Sequence, residues 1–212
     1  MAKSPIRAVI LDFGGVLLQL GDPEPHEELA REIGIPVEQL RYEIFDGPLS
    51  LAAQRGEISP EELWRELARR WGLPAGKSGW LALRFWEGVR FDFVLINWLR
   101  EIKSFYRTGL LSNAWSDLRT ILTRLGIADA FDVMVISAEE RLMKPDPAIY
   151  RLTLERLGVR PEEAVFVDDR EENVQAARAL GIHGIRYRSR EQVFAELRTL
   201  GIPTPISKKA NR

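Results

Sequence analysis

The sequence predicts an α/β fold, a doubly wound parallel sheet with an inserted all-helical segment. Short apolar runs at 7–12, 108–112, 133–137, 164–168 and 184–187 have strand length and composition. The last four are each followed by helical periodicity, and such alternation implies a parallel sheet covered on both faces. Residues 23–103 show helical periodicity with Gly and Pro as punctuation, and no strand signal.

The first run (RAVILD) reads as a buried strand stopping at Gly14-Gly15. The insert then offers HEELAREIG, VEQLRYEIF, SPEELWRELARRWG and GWLALRFWEG. Ser59-Pro60-Glu61-Glu62 is a helix start, with Ser as cap, Pro at the first helical position and Glu at the third. This divides the chain into a core of 1–20 and 104–212 and a helical unit of 21–103. Strand 108–112 precedes a helix over 114–126, strand 133–137 a polar loop and a helix over 146–158, strand 164–168 a helix over 172–181, and strand 184–187 a helix over 190–200. The Pro- and Lys-bearing end, 203–212, is expected to fray.

Length and composition narrow the class. The 212 residues suit one large domain, or a core with a smaller insert. With 45% hydrophobic residues a sizeable core is affordable, and a net charge of −1 gives no footprint for nucleic acid or a membrane surface. The absence of cysteine excludes a disulfide framework and a thiolate metal site. The apolar run 8–11 is interrupted by Asp12, so no signal peptide or membrane span is expected, and the cytoplasm is the expected location. Arginine outnumbers lysine 24 to 6.

In an open parallel sheet, ligands bind at the carboxyl ends of the strands. Those ends carry Asp12, Ser112-Asn113 and Asp168-Asp169, with Lys144-Pro145 in the loop after 133–137. Singly, each has a plain explanation: a turn residue, a helix cap, a second cap, a solvated loop. Together they suit phosphoryl chemistry, with a carboxylate as nucleophile, donors for phosphoryl oxygens, and acidic oxygens for Mg²⁺. Lys144 stands out because this chain uses Arg almost everywhere, which suggests a place for a compact ammonium rather than a planar fork. Trp64, Trp71, Trp80, Trp86 and Trp98 are expected to build the core of the helical unit or its interface. His26 and His183 lack ligand spacing.

LDFGGVL (11–17), LLSN (110–113), MKPDPAIY (143–150) and VFVDDREENVQAA (165–177) resemble, in order, the four signature motifs of the haloacid dehalogenase-like hydrolase superfamily, over about residues 8–190. The helical insert is similar to that superfamily's helical cap, and Arg55-Gly56-Glu57-Ile58-Ser59 to a phrase such caps carry. The resemblance implies a Rossmann-like core and a Mg²⁺-dependent phosphatase acting on a small phosphorylated metabolite, a sugar phosphate among the expectations. Asp12 would attack phosphorus to give an aspartyl-phosphate. Ser112 and Asn113 would bind the phosphoryl oxygens, Lys144 would offset charge, and Asp12, Gly14, Asp168 and Asp169 would hold the metal. Asn173 would orient the last loop, and the cap would exclude water and select the leaving group.

The sequence departs from the resemblance at Gly14, where the family's phosphatases carry a second Asp as general acid and base. Gly keeps the backbone carbonyl that the metal site uses, but not the acid, whose loss costs on the order of 10²–10⁴ in rate where it is needed. The departure raises an alternative, a 2-haloacid dehalogenase-type hydrolase that uses the same Asp without metal. Asp168-Asp169 opposes it, because two carboxylates repel a haloacid carboxylate. A third reading is an inactive binding module, against which stands the retention of Asp12, Ser112, Lys144 and Asp169 together. The oligomeric state stays open.

Overall fold

The structure is a computed structural model that describes residues 5–205. In chain order it begins with β1 (Ala8–Leu11) and β2 (Leu18–Leu20), then α1 (Glu24–Ile33), α2 (Val37–Phe45), α3 (Pro48–Gln54), α4 (Pro60–Arg70) and α5 (Ser78–Trp86). There follow β3 (Val89–Phe91), α6 (Phe93–Ile102), β4 (Arg107–Ser112), α7 (Leu118–Arg124), β5 (Val133–Ile136) and α8 (Ser137–Glu140). The chain continues through α9 (Pro147–Leu157), β6 (Ala164–Asp168), α10 (Glu171–Ala179), β7 (His183–Arg186) and α11 (Arg190–Thr199). The five predicted apolar runs form one parallel sheet in the order β5-β4-β1-β6-β7.

Burial on both faces explains why the strands are apolar at nearly every position. Val9 and Leu11 join Leu110, Val165 and Val167 in a cluster with α6, α7 and α11. Ala8 and Ile10 join Leu111 and Phe166 in a second cluster, with Ile149, Tyr150 and Leu154 of α9. The chain leaves β1 for β4 and β5 on one side, then crosses to β6 and β7 on the other, which makes the carboxyl end of β1 a topological switch point. Leu11 lies opposite Leu110 and Val167, so Asp12 emerges between the ends of β4 and β6.

Helices α1 to α5 enclose a cluster of their own, including Leu29, Leu40, Ile44, Leu63, Leu67, Leu81 and Phe85. The predicted start of α4 is present in full. Ser59 Oγ accepts from the Glu62 N–H (3.1 Å) and the Ser59 N–H donates to Glu62 Oε2 (2.8 Å), a box in which the cap contributes about 1 kcal/mol. Gly56, at φ +70°, lets this unit lie against the sheet domain, because a Cβ there would collide with the Ala138 carbonyl. That contact supplies a physical reason for Gly in the Arg55-Gly56-Glu57 phrase.

Four local expectations are corrected. The stretch read as free of strands holds β3, which pairs antiparallel with β2 and bridges the two units; three residues are too few for a periodic signal. Helix α6 packs beneath the sheet, and Trp98 on it stacks edge-on against Phe194 rather than within the cap cluster. The predicted 114–126 helix starts at Leu118, after a loop whose Ala114 N–H donates to Ser137 Oγ (3.0 Å) rather than entering a helix. At the carboxyl end, Pro203 accepts from Trp98 Nε1 (2.8 Å) and Thr204 bonds Arg198, so the chain is tied down there. Residues 206–212 of the expected frayed tail lie outside the described residues.

Candidate active site

Asp12, Gly14, Ser112, Asn113, Lys144, Asp169 and Asn173 line one cleft of about 310 Å³ between the sheet domain and the cap, and Asp168 lies fully buried beside it. The cleft centres on Lys144. Its ammonium reaches Asp12 Oδ1 (2.8 Å), Asp168 Oδ2 (2.6 Å) and the Leu111 carbonyl (3.0 Å). Three acceptors match the three protons of an ammonium, and the side chain is 1% exposed. A planar guanidinium has neither the geometry nor the room, which accounts for Lys in an Arg-rich chain.

Every side chain around it has a cause for its position. Asp12 Oδ1 also accepts from the Phe13 N–H (2.6 Å), while Oδ2 makes no hydrogen bond among the described residues. Asp168 accepts from Asn173 Nδ2 on both oxygens (3.1 Å each) and from the Arg170 N–H (2.8 Å). Its carboxylate is thereby saturated, and it positions Lys144 rather than facing the cleft. Asn173, at the start of α10, reaches the last loop through Asp168. The Asn113 carboxamide is spent on the main chain of Lys144, accepting from the N–H (2.8 Å) and donating to the carbonyl (2.9 Å), and so places the lysine. Ser112 Oγ lines the cleft with no hydrogen-bond partner among the described residues.

The electrostatics leave an excess of negative charge. Asp12, Asp168 and Asp169 bring carboxylate oxygens within 4.8 Å of one another, against one ammonium. Burial pushes the Asp12 carboxyl up to about 7; Lys144 opposes this and Asp168 adds to it. Asp169 is also raised, by burial first and Asp168 second. For Lys144, burial lowers the pKa, but Asp12 and Asp168 outweigh it and hold the ammonium above its ordinary range. A cluster of this kind fits a divalent cation held by oxygen ligands.

The two glycines of the first motif behave differently. Gly15 has φ +74°, and a Cβ there would stand 2.5 Å from the Asp169 carboxyl. At Gly14, φ lies outside the left-handed region and a Cβ would meet nothing within 4 Å.

Sequence reasoning did not find the cap's share of the cleft. Phe45 arrives from the end of α2, Asp46 from the turn after it and Gln54 from the end of α3, and Asp46 pairs with Arg170 across the mouth. No local pattern marks them, because their place depends on how the cap docks. His26 lies inside the cap, stacked on Phe85 and with Nε2 2.8 Å from its carbonyl oxygen, away from the cleft.

A family model described as haloacid dehalogenase-like hydrolase matches residues 6–181. The chain is 28% identical over 199 residues to a sesquiterpene phosphatase of Aspergillus oryzae, covering 92% of this chain and 96% of that protein. Further curated relatives, among them a drimenol cyclase of Aspergillus calidoustus, are matched over 7% to 36% of their own length. Among solved structures, a HAD family enzyme of Bacteroides thetaiotaomicron in its magnesium complex aligns with TM-score 0.76 at 26% identity, over 92% of this chain and 100% of that one. The L-2-haloacid dehalogenase of Xanthobacter autotrophicus, with chloropropionic acid covalently bound, aligns with TM-score 0.62 at 25% identity, over 93% and 84%. Among the described residues no helix is long and apolar enough to cross a membrane.

Proposed function

The chain belongs to the haloacid dehalogenase-like hydrolases, and from that premise we propose that it is a phosphoric monoester hydrolase working through Asp12 with Mg²⁺, on a small phosphorylated metabolite. The observation that carries this reading is the surplus of carboxylate over ammonium around Asp12, Asp168 and Asp169. A haloacid substrate would add another carboxylate to that surplus; a metal ion with a phosphoryl group would relieve it. The phosphatase name of the fungal relative and the magnesium complex of the bacterial neighbour point the same way.

The residues divide the work. An Asp12 oxygen forms the new bond to phosphorus as the ester P–O bond breaks and the electron pair leaves on the alcohol oxygen; water then cleaves the acyl-phosphate and restores the carboxylate. Ser112 Oγ donates to a phosphoryl oxygen. Lys144 holds Asp12 oriented and lowers the charge density the phosphoryl group meets. Asp12, Asp169 and the Gly14 carbonyl would hold the metal, and Asp168, Asn173 and Asn113 keep the set in place. A bound Mg²⁺ would screen the carboxylates and polarise the phosphoryl group. The cap, helices α1 to α5, excludes water over the cleft.

Phosphate release from phenyl phosphate should fall to background in chelator and return with added Mg²⁺. Asp169→Asn should raise the Mg²⁺ needed for half-maximal rate by at least the roughly 10–100-fold that loss of an outer-shell partner costs. Efficient, metal-independent halide release from 2-chloropropionate would replace this reading with the dehalogenase one, and no turnover of either class with the inactive binding module.

Gly14 gives a second expectation. With no acid in the first motif, the rate should depend steeply on leaving-group pKa and favour aryl over simple alkyl phosphates. Gly14→Asp, which the open space accepts, should raise kcat/KM for ethyl phosphate relative to phenyl phosphate by up to about 10²-fold. A flat dependence in the unmodified enzyme would show that another group protonates the leaving oxygen.

A further inference from the structure

We infer that the alcohol part of the substrate is bulky and apolar, an aryl or branched-alkyl group seated in an aromatic chamber beside Asp12; this rests on the phosphomonoesterase reading. The chamber, about 360 Å³, shares Gly14, Leu18, Phe45, Gln54, Ser112 and Asn113 with the carboxylate cleft, so a group bonded to phosphorus has a continuous wall to follow. Phe13, Trp86, Phe91 and Trp115 give the chamber its inner surface, and Ile121 and Leu125 its outer end.

The chamber is built before a ligand arrives. Trp115 packs edge-on against Trp64 (5.6 Å between ring centroids) and Trp86 (5.9 Å), and Phe13 lies 6.1 Å from Phe91. Rings fixed this way lose little freedom on binding. Polar capacity is scarce. The Gln54 amide donates to the Phe45 carbonyl (2.8 Å) and Ser50 Oγ (3.2 Å), and among the described residues Asp117 is the one ionisable side chain on the wall. A sugar placed here would give up water at each hydroxyl with few partners in return, a loss of roughly tenfold or more for each unpaired group. The sugar phosphate expected from the sequence resemblance therefore suits this wall poorly.

Gly14 gains a reason from this arrangement. It lines both cavities, and a Cβ there would meet nothing within 4 Å, so the place a side chain would occupy belongs to the passage between them. A carboxyl in that passage would set a charge against the apolar group. The missing acid and the way into the chamber are one feature.

The test compares esters of like leaving oxygen in the Mg²⁺-loaded enzyme. Expected are gains in kcat/KM on the order of tenfold to a hundredfold for 1-naphthyl over phenyl phosphate, for citronellyl over ethyl phosphate, or for both, with no gain for glucose 6-phosphate over ethyl phosphate. The larger of the two apolar gains tells an aryl from a branched-alkyl substrate. Ile121→Glu, at a position 38% exposed and so compatible with folding, should cut the apolar gain by about tenfold or more. Equal rates within each pair, a preference for glucose 6-phosphate, or an unchanged ratio in Ile121→Glu would overturn the inference while leaving the phosphatase reading intact. If no ester is hydrolysed, the phosphatase reading fails instead. Saturable quenching of tryptophan fluorescence by 1-naphthol, weakened in Ile121→Glu, then still supports the chamber, and its absence overturns it.

Discussion

Asp12→Asn is expected to reduce phosphate release by about 10⁴-fold or more, with the fold retained. The amide is nearly the same size and can still accept from the Phe13 N–H and from Lys144 at Oδ1, so the loop after β1 keeps its shape. It cannot form the acyl-phosphate. Circular dichroism and thermal melting of the variant, run beside steady-state phosphate release, separate loss of chemistry from loss of structure. A rate within tenfold of the unmodified enzyme would remove Asp12 from the mechanism.

The second large effect belongs to Lys144→Ala, and it falls on stability as well as rate. The side chain is 1% exposed and sits between two buried carboxylates. Its removal leaves Asp12 and Asp168 without their shared cation, a change that costs about 3–5 kcal/mol when one partner of a buried pair is lost. In a chain of this size that corresponds to a fall in Tm on the order of 10 °C. Among chemically competent molecules the rate should fall by a further 10²–10³-fold or so, the usual effect of losing one preorganised donor. Lys144→Arg should rescue neither, since three acceptors around a compact ammonium leave no place for a planar fork. Calorimetry on both variants checks this, and an unchanged Tm in Lys144→Ala would contradict the packed charge centre described above.

The contrast between Lys144 and Asn113 shows what could be read from the chain and what could not. Lys144 was legible because one lysine in an arginine-rich sequence needs a reason, and the reason proved to be coordination geometry. Asp12, Ser112 and Asp169 were legible because strand ends in a parallel sheet converge, and apolar runs locate the ends to within a residue. Asn113 was read with Ser112 as a candidate ligand for phosphoryl oxygens, and nothing in the chain shows what its carboxamide bonds. Its partner, the main chain of Lys144, lies 31 residues away and is brought close only by folding. Asp168 was taken with Asp169 as one acidic pair; Asp168 is the last residue of β6 and buried like the rest of that strand, while Asp169 lies just past the strand end and lines the cleft.

The insert resisted for a different reason. Its helices were visible from periodicity and the Ser59 box, but the apolar pattern does not tell which cluster a helix joins, and α6 with Trp98 joined the sheet. A three-residue strand such as β3 falls below any periodic signal and forms because β2 is there to pair with. The aromatic chamber combines Phe13 from the first motif, Trp86 from the end of the cap and Trp115 from the loop after β4. Residues so far apart in sequence share a wall only once the cap has docked.

Capture of the covalent intermediate tests the nucleophile directly. The Mg²⁺-loaded enzyme is mixed with a labelled aryl phosphate, quenched in acid within the first turnover, digested and sequenced by mass spectrometry. The expected result is one phosphoryl group on Asp12, formed no more slowly than phosphate is released and absent from Asp12→Asn. Phosphate release at full rate with no label on Asp12 during turnover, or a label on any other residue, would contradict it.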